Sequence, residues 1–359
     1  MKAARLILLT LCALLVLITI LPLWETDRWW VRLWDFPRLQ VAALLIVGIL
    51  LMVWVGPRKG RLFWTATGAM LAALAWQATH FIAYLPPWPK QVASVAACPE
   101  GRSIELLNAN VLLHNQRFGE LIALVERTDP DVVLLLETDL DWEREIRPLH
   151  ARYPYRVGEP VPNSYGMILL SRLPMEGEVL HRMQPAVPSI RAKIRLGSGE
   201  VIDLHAVHPE PPVIGDDSGE RDAELVAIGR EVRASGRAAI VIGDLNDVAW
   251  SRTSRLFLDV SGMKDPRVGR GLYPTFNAKY PLLRWPLDHM FVTPHFGLQQ
   301  LDLLGAIGSD HFPILYRACL TQPADKRLVP VKASGEVRAD ASEEVQEGRD
   351  EKAAENRGE

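Results

Sequence analysis

The stretch Ile240-Val241-Ile242-Gly243-Asp244-Leu245-Asn246-Asp247 is an apolar, β-branched run that ends abruptly in polar residues. Such a run reads as a buried strand delivering a carboxylate and a carboxamide to its C-terminal rim. Asp244 and Asn246 are two positions apart, so in extended geometry both side chains point the same way. A base held beside a hydrogen-bond donor is what hydrolysis of a phosphate ester needs. Gly, Asp and Asn also build ordinary turns, so this segment alone leaves a plain strand-to-turn junction open.

Other strand ends carry matching chemistry. Asn110 ends a run that starts at Ile104, and Glu137 follows Val132 to Leu136. His208 follows the run Val201 to His205, Asp288 precedes His289 to Thr293, and Ser309-Asp310-His311 precedes Phe312 to Arg317. Each residue alone fits a cap, turn or loop. Their joint occurrence in this order points to a metal-dependent hydrolytic site on one rim. Asn108 and Asn110 compete for the first position, and Asn110 is preferred because Val-Leu follows it.

Positioning these residues takes several strands with interspersed helices. Helical patterns fall at Phe118 to Arg127 and Arg221 to Ala234, and further strands at Met167 to Leu170, Ala192 to Leu196 and Ala238 to Ile242. The pattern predicts an α/β fold, a two-sheet sandwich with covering helices.

The set resembles the endonuclease/exonuclease/phosphatase family over about Ser103 to Leu320. Asn110 in Ala-Asn-Val-Leu resembles the family's first Asn, and Glu137 in Leu-Leu-Leu-Glu-Thr its metal-binding Glu. Gly-Asp-Leu-Asn matches its most specific motif, Leu-Asp-His-Met-Phe-Val its His-orienting Asp at Asp288, and Ser309-Asp310-His311 its terminal motif. His208, in His-Pro-x-Pro-Pro, resembles its phosphate-contacting His.

The resemblance implies a four-layer, deoxyribonuclease-like sandwich and a phosphoesterase that uses Mg²⁺, or Mn²⁺, held by Glu137, Asn110 and Asp310. Asp244 would handle the attacking water with Asn246, Asp288 would orient His311, and His208 and His311 would contact the phosphoryl group. Either Asp244 or His311 could take the water proton. A non-catalytic membrane-anchored binding protein of the same fold and a membrane-tethered nuclease are the alternative readings.

The chain around this domain is uneven, although its net charge is only −3. Residues 1–86 hold three apolar runs, at about 6–24, 39–55 and 62–85, each near the roughly 20 residues that cross a bilayer. About three transmembrane helices are expected. Lys2, Arg5 and the loop Pro57 to Arg61 belong on the cytoplasmic side, which puts the domain outside. Two spans would instead leave it in the cytoplasm. Together with the resemblance, which extends to bacterial membrane-anchored members, this predicts a multi-pass protein of the bacterial plasma membrane. Its catalytic domain would face outward.

The Trp-rich segment from Glu25 to Arg38 reads as interfacial and amphipathic. Residues 87–101 read as an extended linker, 102–320 as the catalytic domain and 321–359 as a disordered charged tail. Cys98 and Cys319 bracket the domain and are candidates for a disulfide. Arg191 and Arg221 fit surface ion pairs. No basic run marks a nucleic-acid footprint, and membrane tethering favours a lipid or cell-envelope phosphate ester. No obligate protein partner is expected.

Overall fold

The structure, a computed structural model, describes residues 2–24, 26–55, 60–211, 217–328 and 334–357. Each of the three apolar runs forms a helix: α1 (Lys2–Ile20), α3 (Arg38–Val55) and α4 (Arg61–Phe81), with the short α2 (Trp29–Arg32) between the first two. They pack on one another around Cys12, Leu45 and Met70. The expectation of about three transmembrane helices needs correction. Among the described residues one helix is long and apolar enough to cross a membrane, over Leu6–Leu23. A second span results only if Trp29–Asp35 and Arg38–Trp54, bent by 69° at a break, are taken together. α4 falls short because Thr65, Thr67, Gln77, Thr79 and His80 interrupt its apolar surface. Residues 57–59 of the basic loop lie outside the described residues.

The interfacial segment does not lie free. Trp29 N donates to Asp217 at 3.0 Å, and Trp250 Nε1 donates to the Asp35 carbonyl at 2.8 Å. Phe36, Leu39, Phe81 and Tyr84 pack against Val248, Trp250 and Trp285 of the following domain. Residues 87–101 run as turns and bends with one isolated bridge, and Val95 N and the Ala93 carbonyl both bond Leu298 at 2.9 Å. Cys98 and Cys319 form a disulfide.

Two mixed sheets follow. The first holds β1 (Ser103–Asn110), β2 (Val132–Leu136), β3 (Tyr155–Glu159), β4 (Met167–Ser171), β10 (Phe296–Leu303) and β11 (Ile314–Leu320) in the order β10-β11-β1-β2-β4-β3. The second holds β5 (Met175–Leu180), β6 (Ser189–Arg195), β7 (Val201–Val207), β8 (Ala239–Asp244) and β9 (Asp288–Val292) in chain order. The helices α5 (Phe118–Thr128) and α6 (Leu140–Glu145) follow β1 and β2, and α7 (Gly219–Ser235) and α8 (Arg252–Ser261) flank β8. β1 and β2 are parallel, as are β7 and β8, each pair joined through a helix.

Alternation along the strands builds the layers. Ile104 and Leu106 of β1 meet Ile240 and Ile242 of β8 between the sheets. Leu107 and Ala109 face outward onto Leu121 and Leu124 of α5. Val207 and Val241 face Leu225 and Phe257 of α7 and α8. The result is a helix-sheet-sheet-helix sandwich. The edge strands β3 and β5 carry exposed polar residues instead of an apolar run, which hides them from periodicity.

The tail expected to be disordered is, over Gly335–Arg357, a helix, α9. Its average polarity conceals a stripe at helical spacing: Val337, Ala341 and Val345 meet Val226, Leu256 and Val260 of α7 and α8.

Candidate active site

The ladder residues between the sheets are the even-numbered ones on β1, β2, β7, β8 and β9. Asn108, Asn110, His208, Asp244 and Asp288 share this parity where the strands reach the rim. The site therefore lies where the apolar ladder between the sheets gives way to polar residues. Asp244 and Asp288 face each other in the β8–β9 register, and Asn110 pairs with Leu136, beside Glu137.

Asp244 is fully buried and is the hub. Its Oδ1 accepts from Asn246 N at 2.9 Å. Its Oδ2 accepts from Asn110 Nδ2 at 3.1 Å and lies 3.5 Å from His311 Nε2 and 4.0 Å from His208 Nε2. Gly243 is required just before it, because at φ +151° a Cβ would sit 1.8 Å from the Val207 carbonyl oxygen.

His311 is held through Nδ1, which lies 2.8 Å from Asp288 Oδ2. Nε2 faces Asp244 Oδ2 at 3.5 Å, so two carboxylates flank the ring and favour its protonated form. Burial alone would lower its pKa, but Asp244 and Asp288 outweigh that and raise it to about 10. Asn108 Nδ2 holds the other Asp288 oxygen at 2.9 Å, and Phe276 stands 5.0 Å from the His311 ring.

Glu137 is half-buried, at φ +60°, an uncommon conformation for a non-glycine residue. Its Oε1 accepts from Asn110 Nδ2 at 2.9 Å, and its Oε2 from Leu113 N at 3.2 Å. Asn246 also has positive φ, at +50°, and its carboxamide donates to the Pro209 carbonyl at 2.9 Å. That bond ties the His208 loop to the Asp244 turn.

All eight expected positions reach the same rim, in different states of engagement. Asp244, Asp288 and His311 offer ligand atoms within 4.8 Å of one another, and Asn110 links this trio to Glu137. Asp310 is half-buried and engages Ala278 through its backbone carbonyl at 2.7 Å. Glu137 and Asp244 bring carboxylate oxygens to Asn110, and the Glu137 carboxylate is half open, which suits a hard divalent cation; Asn110 Oδ1 accepts from Leu112 N at 3.0 Å.

Arg221 departs from expectation. It is buried rather than a surface residue, paired with Asp222 at 2.9 Å, and donates to the Asn246 carbonyl at 3.3 Å. Arg191 does form exposed pairs, with Glu178 and Glu231. The two asparagines that compete for the first position both serve, Asn108 through Asp288 and Asn110 through Asp244, as their shared parity allows. Sequence reasoning gave Asp247 no role.

Residues 107–311 match the profile of the Endonuclease/Exonuclease/phosphatase family. No curated protein matches the sequence. Among solved structures, humanized D. rerio TDP2 with 14 mutations aligns at TM-score 0.50 and 16% identity, over 60% of this chain and 99% of that one. D. rerio TDP2 complexed with a single-strand DNA product aligns at 0.50 and 18%, over 60% and 98%. The human Nocturnin catalytic domain with bound sulfate aligns at 0.50 and 16%, over 64% and 98%. These likenesses concern the fold. The profile covers more than half the chain and runs from β1 to His311, so the chain belongs to the endonuclease/exonuclease/phosphatase family.

Proposed function

We propose that this protein is a membrane-anchored, divalent-metal-dependent phosphoesterase that cleaves its substrate by attack of water. The observation that carries the reading is the convergence of Asn110, His208 and His311 on one oxygen of Asp244, beside the half-open carboxylate of Glu137. Glu137, with Asn110 and Asp310, would hold Mg²⁺ or Mn²⁺, which when bound offsets charge on the phosphoryl oxygens.

The protein groups divide the remaining work. Asp288 on Nδ1 and the Asp244 carboxylate facing Nε2 hold His311 toward its protonated form, which favours Asp244 as the group that takes or orients the water proton. Asn246 holds the turn that presents Asp244. His311 Nε2 and His208 offer donors to phosphoryl oxygens, and Asp288 keeps His311 in place and cationic. A binding protein without turnover would not need this intact set.

An apolar loop tip supports a lipid phosphate ester as substrate. Leu282 is 85% exposed, with Tyr280 and Leu283 exposed beside it. Gln40 at the start of α3 donates to the Leu282 carbonyl at 3.0 Å. The same loop begins at Phe276, against His311, so one short segment joins the site to the apolar helices. The disulfide supports an oxidising, exported location for the domain.

The test is turnover of the full chain in detergent with Mg²⁺, on phospholipid vesicles, bis-p-nitrophenyl phosphate, p-nitrophenyl phosphate and DNA. Hydrolysis of a phosphate ester that stops with chelator is expected, with lipid preferred. DNA as the sole substrate would select the nuclease reading, and no turnover on any probe would select the binding protein. Reporter fusions after residue 95 test the side: an active exported reporter is expected.

A further inference from the structure

Arg32 lies in α2, far in sequence from the catalytic turn, yet only 4% of it is exposed. Its Nη2 lies 3.3 Å from Asp247 Oδ2 and 3.5 Å from Asp222 Oδ2, and also bonds Thr253 Oγ1. Arg221 completes the cluster, 2.9 Å from Asp222 and 3.5 Å from Asp247. Two guanidinium groups thus share two carboxylates out of contact with water. Thr253 and Ser218 hydroxyls donate to Asp222 at 2.7 and 3.2 Å, so the cluster is hydrogen-bonded as well as paired.

Asp247 belongs to the catalytic turn. Its carbonyl accepts from His289 Nε2 at 2.9 Å, and its Oδ1 accepts from Val248 N at 2.8 Å. The preceding Asn246 carbonyl accepts from Arg221 at 3.3 Å, and Asn246 N is bonded to Asp244. Going the other way from Arg32, Asp35 lies 4.0 Å away and pairs with Arg38. Arg38 donates to Gln77 at 3.1 Å, and Gln77 donates to Thr19 at 3.0 Å. One buried polar chain therefore runs from α1, α4 and α3, through α2, to the residues that hold Asp244.

We propose that Arg32 is a positioning residue for the catalytic turn Asp244–Asp247, so that docking of the segment 29–38 is a condition for full turnover. The kinetic consequence rests on the phosphoesterase reading; the structural one does not. The physical reason is charge balance. Without Arg32, Asp222 and Asp247 keep Arg221 as their one guanidinium partner in a buried site, and the turn has to rearrange to hydrate the excess carboxylate. Lys at this position is a poor substitute, since one ammonium on a flexible stem does not bridge two carboxylates as a guanidinium does.

The experiment compares wild type, Arg32→Ala, Arg32→Lys, Asn246→Ala and the Arg32→Ala/Asn246→Ala pair as full chains in detergent. Turnover is read on bis-p-nitrophenyl phosphate with Mg²⁺, and amide hydrogen exchange is read by peptide. Arg32→Ala is expected to lower kcat roughly 10- to 100-fold with KM within about twofold, as small displacements of catalytic groups do. Arg32→Lys should recover only part of the loss. In the Asn246→Ala background the Arg32→Ala effect should shrink to about threefold or less, because both changes act on one turn.

Peptides covering 244–250 should exchange faster in Arg32→Ala while those of β1 and β7 keep wild-type protection. Wild-type exchange and kcat in Arg32→Ala would overturn the proposal. So would a full multiplicative effect in the double variant, or faster exchange spread evenly over the domain. If Arg32→Ala does not fold, Arg32→Lys decides by the same local exchange. A wild type that turns over no phosphate ester would refute the phosphoesterase reading, and the exchange pattern would still decide the role of Arg32.

Discussion

His311 Nδ1 lies 2.8 Å from Asp288 Oδ2, and Asn108 Nδ2 restrains the other oxygen of that carboxylate at 2.9 Å. The pair fixes the ring so that Nε2 points at Asp244. Asp288→Asn is expected to lower kcat by roughly 100-fold or more, because the imidazolium loses its partner. Asn108→Ala should cost about tenfold, as loss of a supporting hydrogen bond does. Steady-state kinetics on one chromogenic phosphodiester checks both, with thermal midpoints confirming that the variants fold.

Metal affinity should follow Glu137 most closely. Glu137 reaches Asn110 and, through it, Asp244, whereas Asp310 is engaged through its backbone. Titration calorimetry with Mg²⁺ is expected to show at least about a tenfold weaker site in Glu137→Gln, and a smaller change in Asp310→Asn. The reverse order would move the ion toward the Asp310 side.

Much of the site was legible because strand alternation is rigid. A residue two positions beyond a core aliphatic side chain must face the same gap, which places Asp244 beyond Ile242 and Asn108 beyond Leu106. Arg32 was not legible, because nothing local marks a guanidinium whose partners lie about two hundred positions away. The tail misled for a compositional reason: Val337, Ala341 and Val345 are too few to raise its average, yet they suffice to dock one helix face. The third apolar run formed a helix, but its polar residues leave it short of a span, since length alone does not make one.

The disulfide closes a loop with a sequence separation of 221 residues, from before β1 to the end of β11. Cys319→Ser should destabilise the domain by about 2–5 kcal/mol. The thermal midpoint with and without reductant checks this, and a peptide map should show Cys98 and Cys319 linked only without reductant. Free thiols under both conditions would contradict the bond.

Glu224 should make a contribution to stability that falls as pH rises through neutrality. Burial pushes the Glu224 carboxyl up to about 7, against the opposing pull of Arg182. Its folded value lies above the unfolded one, near 4.3, so the native state binds the proton more tightly. The contribution is complete below about pH 4 and is lost as pH rises through 7. From pH 5 to 8 the thermal midpoint of wild type should therefore decline relative to that of Glu224→Gln. An unchanged slope in the variant would assign the dependence to other groups.

The central claim is metal-dependent hydrolysis at the Asp244 hub. Its most direct test is turnover of bis-p-nitrophenyl phosphate by the full chain with Mg²⁺, measured beside the same protein with chelator and beside folded Asp244→Asn. We predict turnover in the first case and a loss of at least about 100-fold in the other two. Equal rates in all three would contradict it.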